Sequence, residues 1–107
     1  MTWHVKLTTA AEDELMALPA DMQAKFLRVS ELLEEFGPHK VGLPHVRFVE
    51  GKLWEMRMTG RDGIARALYV AHTRQTLIVL HVFVKKTQKT PHSAIKTALN
   101  RLQEIKK

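Results

Sequence analysis

The chain has 107 residues, no cysteine and a formal net charge of +6. This length suits one domain with a single hydrophobic core, and a chain without cysteine has neither disulfides nor thiolate metal sites. The first residues lack the apolar stretch of a signal peptide and no run reaches the ~18 apolar residues of a membrane span, so we expect one cytoplasmic domain over residues 1–107.

The first third of the chain predicts one strand and two helices. Residues 3–7 alternate apolar and polar side chains, as a short strand does. Thr9 and Glu12 have the spacing of a capping box, so a helix is expected to begin at Thr9. Pro19 interrupts this helix, and a second helix follows whose apolar residues recur every three or four positions until Gly37 ends it.

The middle of the chain predicts a small antiparallel sheet with strands at residues 46–49, 53–59, 64–71 and 76–84. Short turns rich in glycine, aspartate and other polar residues separate these segments. The second strand alternates, with one face formed by Trp54, Met56 and Met58 and the other by Glu55, Arg57 and Thr59. The last strand is apolar at nearly every position, which is typical of a central strand covered on both faces.

A final helix is expected at the end of the chain. Pro91 suits the first turn of a helix, and an apolar stripe follows it as far as Ile105. The predicted order is therefore one strand, a helical hairpin, antiparallel strands and a C-terminal helix. We expect an α+β fold in which the N-terminal strand and helical hairpin pack on a small, mainly antiparallel twisted sheet.

The charge is unevenly distributed along the chain. Residues 1–38 carry seven acidic and three basic residues, a net charge of −4, whereas residues 39–107 carry fourteen basic and four acidic residues, a net charge of +10. Such asymmetry indicates that one half of the protein faces a polyanion and that the opposite side is neutral or acidic. The alternative interpretation is that these lysines are simply solvated and face no polyanion.

Several basic residues of the second half lie on or directly after the predicted strands. Arg57 and Arg66 are in the middle of strands, and an arginine within an apolar strand needs an ion-pair partner or a ligand. Glu55, on the same face as Arg57, offers such a partner, and an ion pair does not exclude a ligand. Lys85 and Lys86 continue the central strand. If the strands are neighbours, the four basic side chains are expected to converge on one basin.

A cationic basin of this kind suits the cleavage of RNA by its own 2′-hydroxyl. The arginines would stabilise charge on the phosphate, and a lysine with a lowered pKa or His92 would carry the proton. The sequence shows no cluster of carboxylates for a hard metal ion and no Ser–His–Asp set, so we expect no metal and no cofactor. Further contacts to RNA are expected from Lys52, Arg61 and Lys89.

Three segments of the chain resemble the phage-derived branch of the RelE/HigB toxins, namely residues 53–57, 66–69 and 80–91. The specific part is the run Phe-x-Lys-Lys-Thr-x-Lys-Thr-Pro that ends at Pro91, because the strands alone would be a weak signal. The resemblance covers essentially the whole chain and implies a RelE-like fold.

The resemblance also implies a function and partners. It implies the toxin of a type II toxin–antitoxin system, which enters the ribosomal A site and cleaves mRNA there without a metal. A small antitoxin, often a helix-turn-helix DNA-binding protein, is the implied partner, and operator DNA would be contacted only through that antitoxin. No interaction with a membrane is expected.

Carried over by position, Arg57 matches a basic strand residue of the RelE site, and Arg66 matches its phosphate-stabilising arginine. The pair Lys85 and Lys86 matches the basic pair after the last strand. His92 falls roughly where other members place a tyrosine. A glutamate, at residue 55, stands where a lysine is usual, so the general base remains open among His92, Lys85 and Lys86.

Two further functions are compatible with the sequence. One is a ParE-like toxin that inhibits DNA gyrase, which would not need both arginines and the lysine run together. The other is a non-catalytic module that binds nucleic acid or a partner. A nuclease should lose most of its rate at one position with binding nearly intact, whereas a binding module should lose affinity gradually as basic residues are removed.

Overall fold

The computed structural model describes residues 3–85 and 89–105. Within these residues the chain forms five strands and three helices, in the order β1 (His4–Leu7), α1 (Thr9–Met16), α2 (Ala20–Phe36), β2 (Val46–Glu50), β3 (Leu53–Gly60), β4 (Gly63–Ala71), β5 (Thr76–Lys85) and α3 (His92–Ile105). The predicted α+β class, helical hairpin and C-terminal helix are confirmed. None of the three helices is both long and apolar enough to cross a membrane.

The five strands form one sheet in the order β1-β5-β4-β3-β2. The pairs β2–β3, β3–β4 and β4–β5 are antiparallel. Strand β1 lies parallel to β5 over Thr76 to Val79. The sheet is therefore mainly antiparallel, as expected, and the N-terminal strand joins it as an edge strand. Strand β5 lies inside the sheet, which confirms its predicted central position.

The helices cover both faces of the sheet. The hairpin of α1 and α2 covers one face, where Phe26, Val29 and Leu33 share a core with Met56 and Val79. Helix α3 covers part of the other face and contributes to a second core, with buried residues Leu53, Leu68, Leu80, Ile95, Ala98 and Leu102. The alternation predicted for β3 is confirmed, because its even-numbered methionines lie under the hairpin while its odd-numbered residues lie on the α3 side.

The ends of the first two helices follow local hydrogen bonding. Helix α1 begins at Thr9, as expected. Its N-cap, however, is Thr8 and not Thr9, because the Thr8 hydroxyl accepts a hydrogen bond from the backbone N–H of Ala11 at 3.1 Å. Helix α2 ends at Phe36 and is capped by Gly37, which has a φ of +84° and donates its N–H to the carbonyl of Leu33 at 2.8 Å. A left-handed φ of this kind favours glycine, in agreement with the predicted stop.

Arg101 anchors α3 to the rest of the fold. Its Nη1 and Nη2 donate to the Glu14 carboxylate on α1 at 2.8 Å and 3.0 Å, and Nη1 also donates to the carbonyl of Leu80 at 2.9 Å. The same carboxylate accepts from the backbone N–H of Val82 at 3.0 Å and lies 3.0 Å from Nδ1 of His81. Glu14 therefore links α1, β5 and α3.

Candidate functional site

Four basic side chains surround one buried carboxylate on the α3 side of the sheet. The strand register places Arg47 opposite Glu55 and Arg57 opposite Arg66. Lys85, the last residue of β5, pairs with β4 two residues before Arg66 and therefore lies on the same face. We refer to Arg47, Arg57, Arg66 and Lys85 as the cationic cluster.

Glu55 is fully buried at the centre of this cluster. One of its oxygens lies 2.7 Å from Nη1 of Arg66, and the other accepts from Nη2 of Arg47 at 3.1 Å and from the Thr90 hydroxyl. Burial acts to raise the pKa of Glu55, but the Thr90 hydrogen bond and the charges of Arg66 and Arg47 outweigh it and hold the pKa below its ordinary value. Glu55 is therefore a charged anchor that ties β2, β4 and the residue before Pro91 together.

Two guanidinium donors in the cluster are buried without an acceptor. The Nε–H groups of Arg57 and Arg66 have no hydrogen-bond partner among the residues that the structure describes. Arg66 is only 2% exposed. A buried donor without a partner costs about 1–3 kcal/mol, so an anion that accepted these hydrogen bonds would recover that free energy.

Lys85 lies in a strongly positive and poorly hydrated environment. It is 7% exposed. Burial lowers the pKa of Lys85, and the charge of Arg66, with smaller contributions from Arg47 and Arg57, lowers it further against the opposing effect of Glu55. A larger fraction of this lysine is therefore neutral, and able to accept a proton, than of an exposed lysine at the same pH.

The structure brings together three of the predicted site residues, Arg57, Arg66 and Lys85, and adds Arg47. Arg47 was not predicted because a basic residue on a short edge strand usually faces solvent; the only available signal was its possible pairing with Glu55. Lys86 lies outside the described residues.

The other predicted RNA contacts are spread around the sheet. Lys52 lies in the turn before β3, at the end of that strand far from Lys85, and lines a surface cavity there. Arg61 lies in the turn after β3, where its backbone N–H donates to the Asp21 carboxylate at 2.6 Å and its side chain is 90% exposed. Neither residue belongs to the cationic cluster.

His92 and Lys89 lie in a groove beside the cluster. Two cavities, of about 600 Å³ and 250 Å³, share Glu50, Lys89, Thr90 and Ile95 in their linings. His92, the first residue of α3, is exposed and lines the larger cavity. We refer to the two cavities together as the α3 groove. Since Thr90 lines the groove and also binds Glu55, the groove and the cluster are continuous.

The arrangement offers hydrogen-bond donors for an oxyanion and a lysine with a lowered pKa. The guanidinium groups of Arg57 and Arg66 supply fixed positive charge, and electrostatic stabilisation is stronger around the buried Arg66 than it would be in bulk water. Within residues 3–85 and 89–105, no three histidine, aspartate or glutamate side chains are grouped so that they could hold a metal ion. The chemistry that these side chains can support directly is the binding of a phosphate and the transfer of a proton.

Comparison of the sequence with protein families identifies a matching family. Residues 13–103 match the family described as phage derived protein Gp49-like (DUF891). The match covers most of the chain, including the second half of α1, all of α2, the strands β2 to β5 and most of α3. The comparison with curated proteins gave no match.

Solved structures with a similar fold include three RelE-type chains. One, from the archaeal RelE–RelB complex of Pyrococcus horikoshii OT3, has a TM-score of 0.63 and 22% identity, over 80% of this chain and 98% of that chain. Another, from the toxin–antitoxin complex RelBE2 of Mycobacterium tuberculosis, has a TM-score of 0.59 and 24% identity, over 79% of this chain and 100% of that chain. A mutant of the E. coli toxin RelE in the free state has a TM-score of 0.63 and 13% identity, over 95% and 99%. The expected RelE-like fold is confirmed.

Proposed function

Because the chain belongs to the phage-derived Gp49-like family and has the RelE fold, we propose that it is the toxin of a type II toxin–antitoxin system and cleaves mRNA on the ribosome. The observation that carries this proposal is the cationic cluster, in which the Nε–H groups of Arg57 and Arg66 are buried without a partner in the described residues. Fold alone does not specify chemistry, so the proposal depends on this cluster.

The two arginines have the role of holding and stabilising the cleaved phosphate. As the ribose 2′-oxygen attacks, negative charge accumulates on the non-bridging oxygens, and fixed guanidinium donors stabilise that charge more in the transition state than in the ground state. Glu55 is a positioning residue, because its ion pair at 2.7 Å fixes the guanidinium of Arg66. The nearby charge of Arg47 adds to the positive potential of the site.

Lys85 is the proposed general base. Of the three candidates, it combines burial in the cluster with a lowered pKa, whereas His92 is exposed in the α3 groove and Lys86 is outside the described residues. In the reaction, the neutral Lys85 amine takes the 2′-hydroxyl proton as the bond from the 2′-oxygen to phosphorus forms. The bond from phosphorus to the 5′-oxygen breaks, and that oxygen takes a proton from water. The products are a 2′,3′-cyclic phosphate and a 5′-hydroxyl.

The proposed partners follow from the same function. The substrate is mRNA in the ribosomal A site, where the ribosome holds the strand in the geometry for in-line attack that this small site does not impose by itself. Two of the similar structures are toxin–antitoxin complexes, which supports a cognate antitoxin here. That antitoxin is proposed to be a helix-turn-helix DNA-binding protein through which operator DNA is contacted. The proposed site of action is the cytoplasm, where ribosomes are found.

The Arg57→Ala variant tests this function with little risk to the fold. Arg57 is half-buried, and its guanidinium forms no ion pair with the residues that the structure describes. The matched control is Arg28→Ala, which removes an exposed arginine from α2 on the opposite side of the sheet. Each protein is induced in cells, and the 5′ ends of ribosome-bound transcripts are mapped.

We expect new 5′ ends and growth arrest with the unmodified protein and with Arg28→Ala. Removing one donor to a developing oxyanion typically lowers the rate by about 10²–10³-fold, so Arg57→Ala should abolish both effects. The absence of new 5′ ends with the unmodified protein would refute the proposal. Full activity of Arg57→Ala would remove Arg57 from the mechanism.

A further inference from the structure

A β-bulge in β2 changes the side of the sheet on which Glu50 lies. Arg47 pairs with Glu55, but the register shifts between Phe48 and Glu50, and Glu50 pairs with Leu53. Leu53 belongs to the core beneath α3, so Glu50 lies on the α3 side together with Arg47. In a regular strand two residues three positions apart would lie on opposite faces. The bulge therefore directs a carboxylate to the side of the cationic cluster, a use of bulges that is common beside functional sites.

Glu50 lines both cavities of the α3 groove. Arg47 of the cationic cluster lines the smaller cavity, and His92 lines the larger one. In both linings Glu50 is the one acidic side chain among the described residues. A strand of RNA whose phosphate lay in the cluster would therefore place an adjacent nucleotide in the groove, beside the Glu50 carboxylate.

The carboxylate of Glu50 is available to a ligand. It is exposed, and the structure shows no hydrogen bond or ion pair to it within residues 3–85 and 89–105. A negative charge beside a phosphate-binding cluster reduces the electrostatic attraction for RNA, so affinity for the backbone does not account for its position. Recognition of N–H groups on a base edge does account for it, because a carboxylate accepts hydrogen bonds and donates none.

We infer that Glu50 is a specificity-determining residue that reads the nucleobase next to the cleaved phosphate and favours a base with an amino group over uracil. The inference rests on the proposed function. Adenine, cytosine and guanine each present an exocyclic amino group to a carboxylate. Uracil offers only its ring N3–H, which lies between two carbonyl oxygens that repel a carboxylate. Single-stranded RNA is commonly read in this way, by hydrogen bonds to unpaired base edges.

The test compares Glu50→Gln with the unmodified protein. A glutamine side chain both donates and accepts, so it accommodates a carbonyl oxygen as well as an amino group. The matched control is Glu104→Gln, the same chemical change at an exposed position twelve residues along α3 from His92. Each protein is added in excess to ribosomes stalled on mRNAs that differ in one A-site nucleotide, and the single-turnover cleavage rate is measured for all four bases at each codon position.

For the unmodified protein and Glu104→Gln, we expect one codon position at which mRNA with uracil is cleaved about tenfold more slowly than mRNA with an amino-bearing base. A tenfold ratio corresponds to the lower end of the range for the free energy of a hydrogen bond to a charged group. Glu50→Gln should reduce that ratio to about one without a loss of cleavage at the preferred bases. The same ratio in Glu50→Gln, or no discrimination by the unmodified protein, would overturn the role of Glu50 while leaving the proposed nuclease standing. A failure of the unmodified protein to cleave any of the mRNAs would overturn both.

Discussion

Glu55 and Arg66 form an ion pair in the interior of the protein, with Nη1 of Arg66 2.7 Å from Oε2 of Glu55 and the two side chains 3% and 0% exposed. The pair fixes one end of the Arg66 guanidinium, while its buried Nε–H has no partner among the described residues. Breaking such a pair by removing one member typically costs about 3–5 kcal/mol, because the other charge is left buried. Loss of activity on truncation of Arg66 would therefore combine a folding defect with a chemical one, whereas Arg57 separates the two.

The Glu55→Gln variant should unfold more easily at neutral pH. It keeps the shape of the side chain but leaves Arg66 and Arg47 without their negative partner, so we expect a loss of about 3 kcal/mol in the free energy of unfolding, measured by urea denaturation. The control is Glu31→Gln, at an exposed position on α2, which should change stability by less than about 0.5 kcal/mol.

The cost of Glu55→Gln should also depend on pH. The folded-state pKa of Glu55 lies below the ordinary value of 4.5, so its charge stabilises the fold above pH 4.5, and this contribution is lost as the pH falls through the folded-state pKa. The difference in the free energy of unfolding between Glu55→Gln and the unmodified protein should therefore shrink on acidification below pH 4.5. Glu14, whose pKa is also lowered, is present in both proteins and cancels from the difference. A difference that stayed constant would show that Glu55 acts by packing rather than by charge.

The Lys85→Met variant should be more stable than the unmodified protein and inactive. The folded-state pKa of Lys85 lies below its ordinary value, which means that its charged form destabilises the fold at pH values below the folded-state pKa. An apolar side chain of similar length carries no buried charge, so we expect a higher free energy of unfolding at pH 7, measured by urea denaturation. A stable, fully active Lys85→Met would exclude this lysine as the general base.

The Arg101→Ala variant should loosen α3 without unfolding the sheet. It removes two hydrogen bonds to the Glu14 carboxylate and one to the carbonyl of Leu80. We expect a loss of about 2 kcal/mol in stability and faster amide hydrogen exchange in α3 than in β4. Lys96→Ala, an exposed change on the same helix, is the control and should leave exchange unchanged. Uniformly faster exchange throughout the chain would mean that Arg101 supports the whole fold rather than this helix.

Local patterns were sufficient for most of the fold. The alternation in β3 separated its methionine face from the face of Glu55 and Arg57, and the long apolar run of β5 indicated a strand inside the sheet. These inferences succeeded because side-chain period and hydrophobicity report directly on which face of a strand is buried. The convergence of Arg57 and Arg66 required only that β3 and β4 be neighbours, which the short turn between them made the natural expectation.

Features that depend on pairing between distant segments were not predicted. The parallel pairing of β1 with β5 joins segments about seventy residues apart, and four alternating residues do not indicate their partner. The place of Arg47 in the cationic cluster depends on the register of β2, and that of Glu50 depends on a bulge in the same strand. A shift of one residue in register moves every side chain to the other face, so such sites become visible only once the pairing is known.

The proposed role of the cationic cluster is to promote attack by the 2′-hydroxyl of mRNA on the neighbouring phosphate. The most direct measurement is the chemical identity of the ends produced when the purified protein cuts mRNA on stalled ribosomes, determined by mass spectrometry. We predict a 2′,3′-cyclic phosphate or its 3′-phosphate hydrolysis product on one fragment and a 5′-hydroxyl on the other. A 3′-hydroxyl with a 5′-phosphate would rule out this role, because those ends require a water nucleophile instead of the 2′-hydroxyl.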